Sequence, residues 1–324
     1  MRRRFFLGCI LALALAGCQT LPEQIDSTMK EGQTLYAQKN YNEAIARFSE
    51  ALSKDPKHFP AHVWIARVQM AKGDWGAAVA SARKAREIAP KGESVVTVLS
   101  EALLGAGTAA LKAGKSTESI PLFLEYIELQ PTHPAAYLNV ARAYLGEKRF
   151  AEALAALSRA LGIPSDSAMQ REALELLLDG ARRALAEGDL ASMIRFLSEY
   201  LKIDPANLGA WLDLARGYLK TGNYGEAVAA FAGGLKQDGS LERGPLLREL
   251  LDAGNQALSS GRLREGAAML REYVAHDRGN IEVLLRLARA SWSAGERMQA
   301  LDALRQIKEV NPRQQEALKY MLGQ

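Results

Sequence analysis

Apolar residues recur along this chain at spacings of three and four positions. In residues 137–146 and 211–220 they form a stripe between polar positions, which is the pattern of a helix buried along one side. No stretch shows the apolar–polar alternation of a half-buried strand. The pattern therefore predicts an all-α fold.

Six glycines share one context, with a small-residue helical stretch before them and an alanine-rich amphipathic stretch after them. A glycine in such a place supplies the left-handed residue that ends a helix. The six are Gly73, Gly114, Gly188, Gly222, Gly261 and Gly295. Aligned on this turn, the chain divides into eight 34-residue repeats, which begin at Ile25, Phe59, Ser100, Pro134, Leu174, Leu208, Leu247 and Ile281.

The repeats come in pairs, because extra residues occur only between one pair and the next, where an odd-numbered repeat begins. Residues 94–114 and 167–188 are continuous helical patterns without an internal proline. We therefore expect one or two added turns on the first helix of each odd-numbered repeat. The four pairs span residues 25–92, 100–167, 174–241 and 247–314.

The residue types at fixed positions of each repeat resemble the tetratricopeptide repeat (TPR), a unit of two antiparallel helices with small residues where they touch. The sixth repeat matches at Trp211, Leu214, Ala215, Tyr218, Gly222, Tyr224, Ala227 and Phe231. The resemblance implies a right-handed α-solenoid of about eight helix pairs, with a closing C-terminal helix at residues 315–324. Odd-numbered repeats carry a tyrosine where the family prefers alanine, so we expect looser or shifted helix packing at Tyr126, Tyr200 and Tyr273.

The first twenty residues predict export and lipidation. Three arginines precede an apolar run at residues 5–16, which is too short for a permanent membrane span and has the form of a secretory signal. The run ends in Leu-Ala-Gly-Cys, which resembles the bacterial lipoprotein cleavage box. The resemblance implies removal of residues 1–17, a covalent diacylglycerol and an N-acyl lipid on Cys18, and a tether at residues 18–24. An ordinary secretory signal that contains a cysteine is the alternative.

Gln19 bears on the destination. In the Gram-negative lipoproteins that this segment resembles, aspartate at that position retains the protein at the inner membrane. Gln19 therefore favours the outer membrane, facing the periplasm. The inner membrane and a Gram-positive cell surface are the alternatives.

The net charge changes once the signal is set aside. The formal charge of +4 comes from 41 basic and 37 acidic residues, and removing Arg2, Arg3 and Arg4 leaves 38 basic against 37 acidic. A chain so close to neutral gives no argument for nucleic-acid binding. Its two cysteines are Cys9, in the signal, and Cys18, so the processed fold has no disulfide.

No motif predicts catalysis or a metal site. His58 and His62 lie within one helical turn, but Pro60 falls between them and no third ligand has matching spacing. The sequence contains no phosphate-binding glycine loop after a strand and no nucleophile turn, and most glutamates belong to solvated helix faces. We expect no enzymatic activity, no metal and no cofactor beyond the lipid on Cys18.

Arginine recurs at the ninth position of the repeat, a position that lines the concave face in the TPR proteins that this chain resembles. It is found there as Arg67, Arg142, Arg182, Arg216 and Arg289. The planar guanidinium suits carboxylates, so we hypothesise that Arg142, Arg182 and Arg216 form the centre of a groove for an acidic or C-terminal segment of a partner. The alternative is that these arginines pair with acids such as Asp213 on the same helical face.

Tryptophans flank this expected groove. Trp64 and Trp292 are candidate apolar contacts beside the arginines, since aromatic side chains anchor interfaces. Packing of Trp292 beneath the closing helix is the alternative. Trp75 and Trp211 match core positions of the repeat and are expected to serve packing alone.

These features together predict a noncatalytic, lipid-anchored adaptor that assembles or localises a cell-envelope complex. Its partners would be envelope proteins, such as pilus or secretion components, outer-membrane assembly subunits or peptidoglycan enzymes, and it would contact the membrane through the lipid. The alternative is a scaffold of polysaccharide export or synthesis that contacts glycan or its synthase. Self-association is left open.

Overall fold

The computed structural model describes residues 20–237 and 243–310. These ranges contain sixteen α-helices and no strand. The prediction of an all-α repeat fold is confirmed. The predicted closing helix at residues 315–324 lies outside the described residues.

The helices follow one another as eight pairs, one pair to each repeat. In chain order they are α1 (Leu21–Ala37) and α2 (Tyr41–Lys54), α3 (Phe59–Ala71) and α4 (Trp75–Ile88), α5 (Glu93–Lys112) and α6 (Ser116–Leu129), α7 (Pro134–Gly146) and α8 (Phe150–Leu161), α9 (Ser167–Ala186) and α10 (Leu190–Ile203), α11 (Leu208–Lys220) and α12 (Tyr224–Leu235), α13 (Arg243–Ser259) and α14 (Leu263–His276), and α15 (Ile281–Ser293) and α16 (Arg297–Val310).

The first helix of a repeat is shorter in the even-numbered repeats than in the odd-numbered ones. In the even-numbered repeats they have 13 residues and begin at the predicted Phe59, Pro134, Leu208 and Ile281. In the odd-numbered repeats α5 and α9 have 20 residues, whereas α1 and α13 have 17. The added turns predicted for odd-numbered repeats are therefore present. In α5 they bury Val95, Val98 and Leu99 completely, so the extension forms part of the core.

The expected tether is shorter than the sequence analysis placed it, because α1 begins at Leu21. Thr20 precedes the helix, and its backbone N–H donates to the Glu23 carboxylate at 2.8 Å. This hydrogen bond lowers the pKa of the Glu23 carboxyl. Pro22 stands in the first turn, where a proline costs no helix hydrogen bond. The Thr-x-x-Glu pattern and the proline are helix-start signals that place residues 21–24 in α1 rather than in a tether.

Tight turns join the two helices of each repeat. The six predicted turn glycines all have left-handed backbone, with φ between 74° and 79°. In the first and fourth repeats a lysine takes the same place, Lys39 with φ 63° and Lys148 with φ 57°. A residue with a Cβ is strained in this conformation, so these two turns are less stable than the six with glycine.

The chain forms two compact units. Within the described ranges, the N-terminal unit comprises residues 20–147 together with 159–165, and the C-terminal unit comprises residues 148–158, 166–237 and 243–310. Each has its own apolar core, in which the largest fully buried side chains are Phe48 and Phe123 in the first unit and Phe196 and Phe231 in the second.

One helix of the N-terminal unit, α5, is long and apolar enough to cross a membrane by length and composition alone. Its residues Ala102 and Leu103 are completely buried and belong to an apolar cluster with Val79 and Ala136. The apolarity of α5 therefore has an explanation in packing within this unit.

In the fifth and seventh repeats, a tyrosine of the second helix is linked by hydrogen bonds to the start of the next repeat. The Tyr200 ring is 5% exposed, and its hydroxyl donates to Asp204 at 2.6 Å and accepts from the Asn207 amide at 3.0 Å. Asn207 also caps α11 by accepting from the Ala210 backbone N–H. Burial and the hydrogen bond to Asp204 raise the pKa of the Tyr200 hydroxyl.

The same arrangement recurs one module later, with Tyr273, Asp277 and Asn280 in the equivalent places. The Tyr273 ring is also buried. Loose packing was expected at Tyr126, Tyr200 and Tyr273. It is not found at Tyr200 and Tyr273, because their rings are enclosed and their hydroxyls hydrogen bonded. The Tyr126 ring is also buried and meets His133 edge-on at 5.4 Å.

Candidate functional site

Two adjoining hollows lie on the surface of the C-terminal unit, among α9, α10, α11 and α13. Both are lined by Leu185, Met193 and Asp213. Arg182 lines the first hollow and Arg216 the second, so the structure places these two predicted groove residues around one shared floor. Met193 is buried, whereas Leu185 is 42% exposed, which is unusual for a large apolar side chain.

The helix register accounts for this arrangement. Arg182 and Leu185 are three residues apart on α9 and therefore lie on the same face of that helix. Arg216 takes the equivalent place to Arg182 on the first helix of the next repeat, α11. Because α9, α10 and α11 pack in sequence, these side chains converge on the floor formed by Leu185 and Met193.

Arg216 is held by two acids of the fold. Its Nε and Nη2 atoms donate to the two carboxylate oxygens of Glu249 on α13, at 2.9 and 3.0 Å, and its Nη1 lies 3.4 Å from Asp213 Oδ1. Hydrogen bonding to Arg216 lowers the pKa of the Glu249 carboxyl, and the same bonds raise the pKa of the guanidinium. The alternative that a groove arginine pairs within the fold is therefore correct for Arg216.

Arg182 differs from Arg216. It is exposed, and its side chain forms no ion pair or hydrogen bond within the described part of the chain. Lys220, at the end of α11, lines the second hollow and likewise has no partner among the described residues. Each hollow is thus lined by one cation without a partner in the described chain, Arg182 in the first and Lys220 in the second.

In the N-terminal unit, the predicted groove residues contact neighbouring side chains of the fold. The guanidinium of Arg67 lies 4.9 Å from the Trp64 ring centre. Trp64 stacks on Phe48 at 5.8 Å and meets Tyr36 edge-on at 5.6 Å, so its ring serves mainly to cover the core of the first repeats. Arg142 donates to Asn139 on its own helix at 3.0 Å.

Two of the remaining predicted groove residues lie near the end of the described chain, and the two tryptophans assigned to the core pack against glycines. Arg289 is exposed on α15, and the Trp292 ring lies 5.9 Å from the Arg297 guanidinium. Trp211 fits against Gly233 and Gly234 and donates its indole N–H to the Pro205 carbonyl, in agreement with a packing role. Trp75 fits in the same way against Gly105.

The described part of the chain contains no metal centre, and the residues of the proposed anchor lie outside it. Among the described residues, no group of three or more histidines, cysteines and acids is placed to hold a metal ion. Burial, and then the charge of Lys84, lower the pKa of the His62 imidazole. Cys18 and Gln19 lie outside the described residues.

The hollow residues that sequence reasoning missed include Leu185, Met193, Lys220 and Glu249. Glu249 is the third residue of the seventh repeat and Arg216 the ninth residue of the sixth, so the ion pair joins different positions of neighbouring repeats. Comparison of each ninth position with the third position of the next repeat would have found the pair. The exposure of Leu185 had no sequence signal, because leucine fits equally well in a buried stripe.

Comparison with known proteins agrees with the repeat pattern. Two Tetratricopeptide repeat family profiles match the chain, one at residues 35–107, 184–244 and 257–324 and the other at residues 104–168. No curated protein matches the sequence significantly.

Several solved structures are similar. MamA from Desulfovibrio magneticus RS-1 is 13% identical, with 58% of this chain and 99% of that chain covered and a TM-score of 0.37. A thermophilic TPR protein in Thermus thermophilus is 22% identical, with 60% and 99% covered and a TM-score of 0.28. A tetratricopeptide repeat protein from Parabacteroides merdae is 12% identical, with 82% and 98% covered and a TM-score of 0.37.

The family matches extend over most of the helical repeats described above. They include Leu185, Met193, Asp213 and Arg216 of the hollows, whereas Arg182 and Glu249 lie between the matched ranges. The chain belongs to the tetratricopeptide repeat family.

Proposed function

We propose that this protein is a noncatalytic, lipid-anchored adaptor that binds partner proteins and so assembles or localises a cell-envelope complex. TPR proteins bind other proteins through surfaces built from stacked helices and are generally scaffolds rather than enzymes. The observation that carries the proposal for this chain is the pair of hollows in the C-terminal unit. There an exposed leucine and unpaired cations stand on a rigid helical floor.

The anchor rests on the sequence around Cys18. The Leu-Ala-Gly-Cys box follows a short apolar run and three arginines, and this order is that of a lipoprotein signal. Several acyl chains on one cysteine give a stable membrane anchor, where a single chain binds only marginally. With Gln19 after the cysteine, the proposed location is the outer membrane, facing the periplasm.

Metabolic labelling with an alkyne fatty acid tests the anchor. We expect the wild-type chain and Cys9→Ser to be labelled and Cys18→Ser to lose the label. Cys9→Ser is the matched control, since it removes the other cysteine of the same signal. In a membrane fractionation, Gln19→Asp should shift the labelled protein toward the inner membrane. Equal labelling of all three chains would show that Cys18 is not the lipid site.

Photocrosslinking in living cells tests the adaptor. A photoreactive amino acid at position 185 reports on the hollows, and the same group at position 195 is the control, because Arg195 is exposed on α10 outside them. We expect an envelope protein to be captured from position 185 and not from position 195. Capture of a glycan synthase or export subunit would favour the polysaccharide alternative, and identical products at both positions would contradict binding at the hollows.

A further inference from the structure

We infer that the two hollows recognise a partner segment in which one apolar side chain is flanked on both sides by acidic residues. This inference deepens the proposed function and rests on it, since it names the chemistry of the partner at the same surface. Three observations on the C-terminal unit lead to it: the apolar floor, the unpaired cations and the open shape of the hollows.

The floor supplies the place for the apolar side chain. Leu185 lines both hollows and is 42% exposed, and the Met193 side chain beside it is buried below the surface. Covering the exposed Leu185 side chain with another apolar group is favourable, because it removes apolar surface from water. Because Leu185 is common to both hollows, the apolar side chain would sit between them.

The charges supply the flanking acids. Five charged residues line the two hollows, and the two acids among them, Asp213 and Glu249, are both engaged by Arg216. The cations that remain are Arg182 in the first hollow and Lys220 in the second, without partners within the described ranges. A segment with a carboxylate on each side of its apolar residue would pair with both.

The open shape of the hollows favours a peptide over a small molecule. Their volumes are about 270 and 440 Å³, and both are open to solvent. Enclosed ligand pockets run from about 300 to 1,000 Å³ and bury most of the ligand. Two small open hollows joined by a common floor instead suit successive side chains of an extended chain.

Peptide selection tests the inference. A random peptide library is selected on the full-length protein in detergent, and binding of an enriched peptide is then measured by fluorescence polarisation. We expect enriched peptides to carry an acid, an apolar residue and an acid. Arg182→Glu/Lys220→Glu should weaken the binding at least about tenfold, since it removes two ion pairs and adds repulsion. Leu185→Asp should weaken it as well.

The matched control is Arg195→Glu/Arg264→Glu, which reverses two exposed arginines that are also unpaired in the described chain but lie outside the hollows. It should bind like the wild type, and all variants should show unchanged helicity. A peptide with lysines in place of its acids should bind Arg182→Glu/Lys220→Glu better than it binds the wild type. That reversal would identify direct pairing.

Two results would overturn the inference, and they have different meanings. Enriched peptides that lack the acid–apolar–acid pattern, or that bind Arg182→Glu/Lys220→Glu as well as wild type, would remove the inference and leave the adaptor proposal standing. If no peptide is enriched and no protein is captured from position 185, both the inference and the proposed function fail.

Discussion

Replacing Gly180 with alanine tests whether packing requires a glycine at the contact of α9 with α10. A Cβ built on Gly180 would lie 2.6 Å from Cε1 and 2.7 Å from Cζ of Phe196. Phe196 is completely buried, and its ring meets Phe150 edge-on at 6.4 Å. The added methyl group must therefore displace an enclosed ring.

Two opposing effects set the magnitude. Carbon atoms in contact prefer separations of about 3.5–4.0 Å, so the overlap with Phe196 amounts to roughly 1 Å. Overpacking of a core costs about 1–3 kcal/mol. Alanine in place of glycine inside a helix recovers about 1 kcal/mol. We expect Gly180→Ala to lower the free energy of unfolding by about 1 kcal/mol, within a range of roughly 0 to 2 kcal/mol.

Urea unfolding of the processed chain, followed by circular dichroism, measures this difference. Gly225→Ala is the control, because a Cβ at that position near the start of α12 meets no atom within 4 Å. It should leave stability unchanged or raise it by up to about 1 kcal/mol. The contact can also be tested by a double-mutant cycle with Phe196→Leu, which should relieve the overlap. If Gly180→Ala stabilises the protein as Gly225→Ala does, or if its effect simply adds to that of Phe196→Leu, the packing argument is refuted.

Three further changes have definite expected outcomes. Lys39→Gly relieves the left-handed backbone at an exposed turn and should raise the urea midpoint, by about 0.5–1 kcal/mol in stability. Tyr200→Phe removes the hydroxyl bonded to Asp204 and should cost about 1 kcal/mol at pH 7. The pKa of Tyr200 is raised in the folded state. The stabilisation by its hydroxyl is therefore present below the unfolded pKa of about 10 and is lost as the pH rises through the folded pKa. The difference in unfolding free energy between wild type and Tyr200→Phe should accordingly become smaller above pH 10. Glu249→Gln should lower the free energy of unfolding by no more than about 1 kcal/mol, because the Arg216–Glu249 ion pair is half exposed. It should also release Arg216, so that an acidic peptide binds severalfold more tightly in fluorescence polarisation.

Most of the fold could be predicted from the sequence because its signals are local and repeat. The turn glycines and the apolar stripes placed the first helices of the even-numbered repeats at their observed starts. The start of α1 was missed although Thr20, Pro22 and Glu23 form a helix-start signal, because the alignment of repeats began at Ile25. The lysines at the turns of the first and fourth repeats were also missed, since only the neighbouring structure shows that a non-glycine residue is held there at positive φ.

The tyrosines Tyr200 and Tyr273 illustrate a second limit of prediction from the sequence. Family preference made Tyr200 look too large for its place, which led to the expectation of loose packing. The structure surrounds its hydroxyl with Asp204 and Asn207, and Asn207 is also the cap of the next helix. A substitution that looks unfavourable alone is therefore compatible with tight packing when its polar group has partners.

The candidate site shows why position in a repeat does not determine the role of a residue. Arg182 and Arg216 occupy the same ninth position in successive repeats, yet only Arg216 is held by the fold. The difference lies in the third residue of the following repeat. For Arg216 that residue is Glu249, which accepts both guanidinium bonds; for Arg182 it is Ala210, which lines the same hollow and offers no side-chain acceptor. Arg182 is thus available to a partner because the next repeat places no acid beside it, and this explains why Arg182 rather than Arg216 is one of the two cations that the inferred segment would meet.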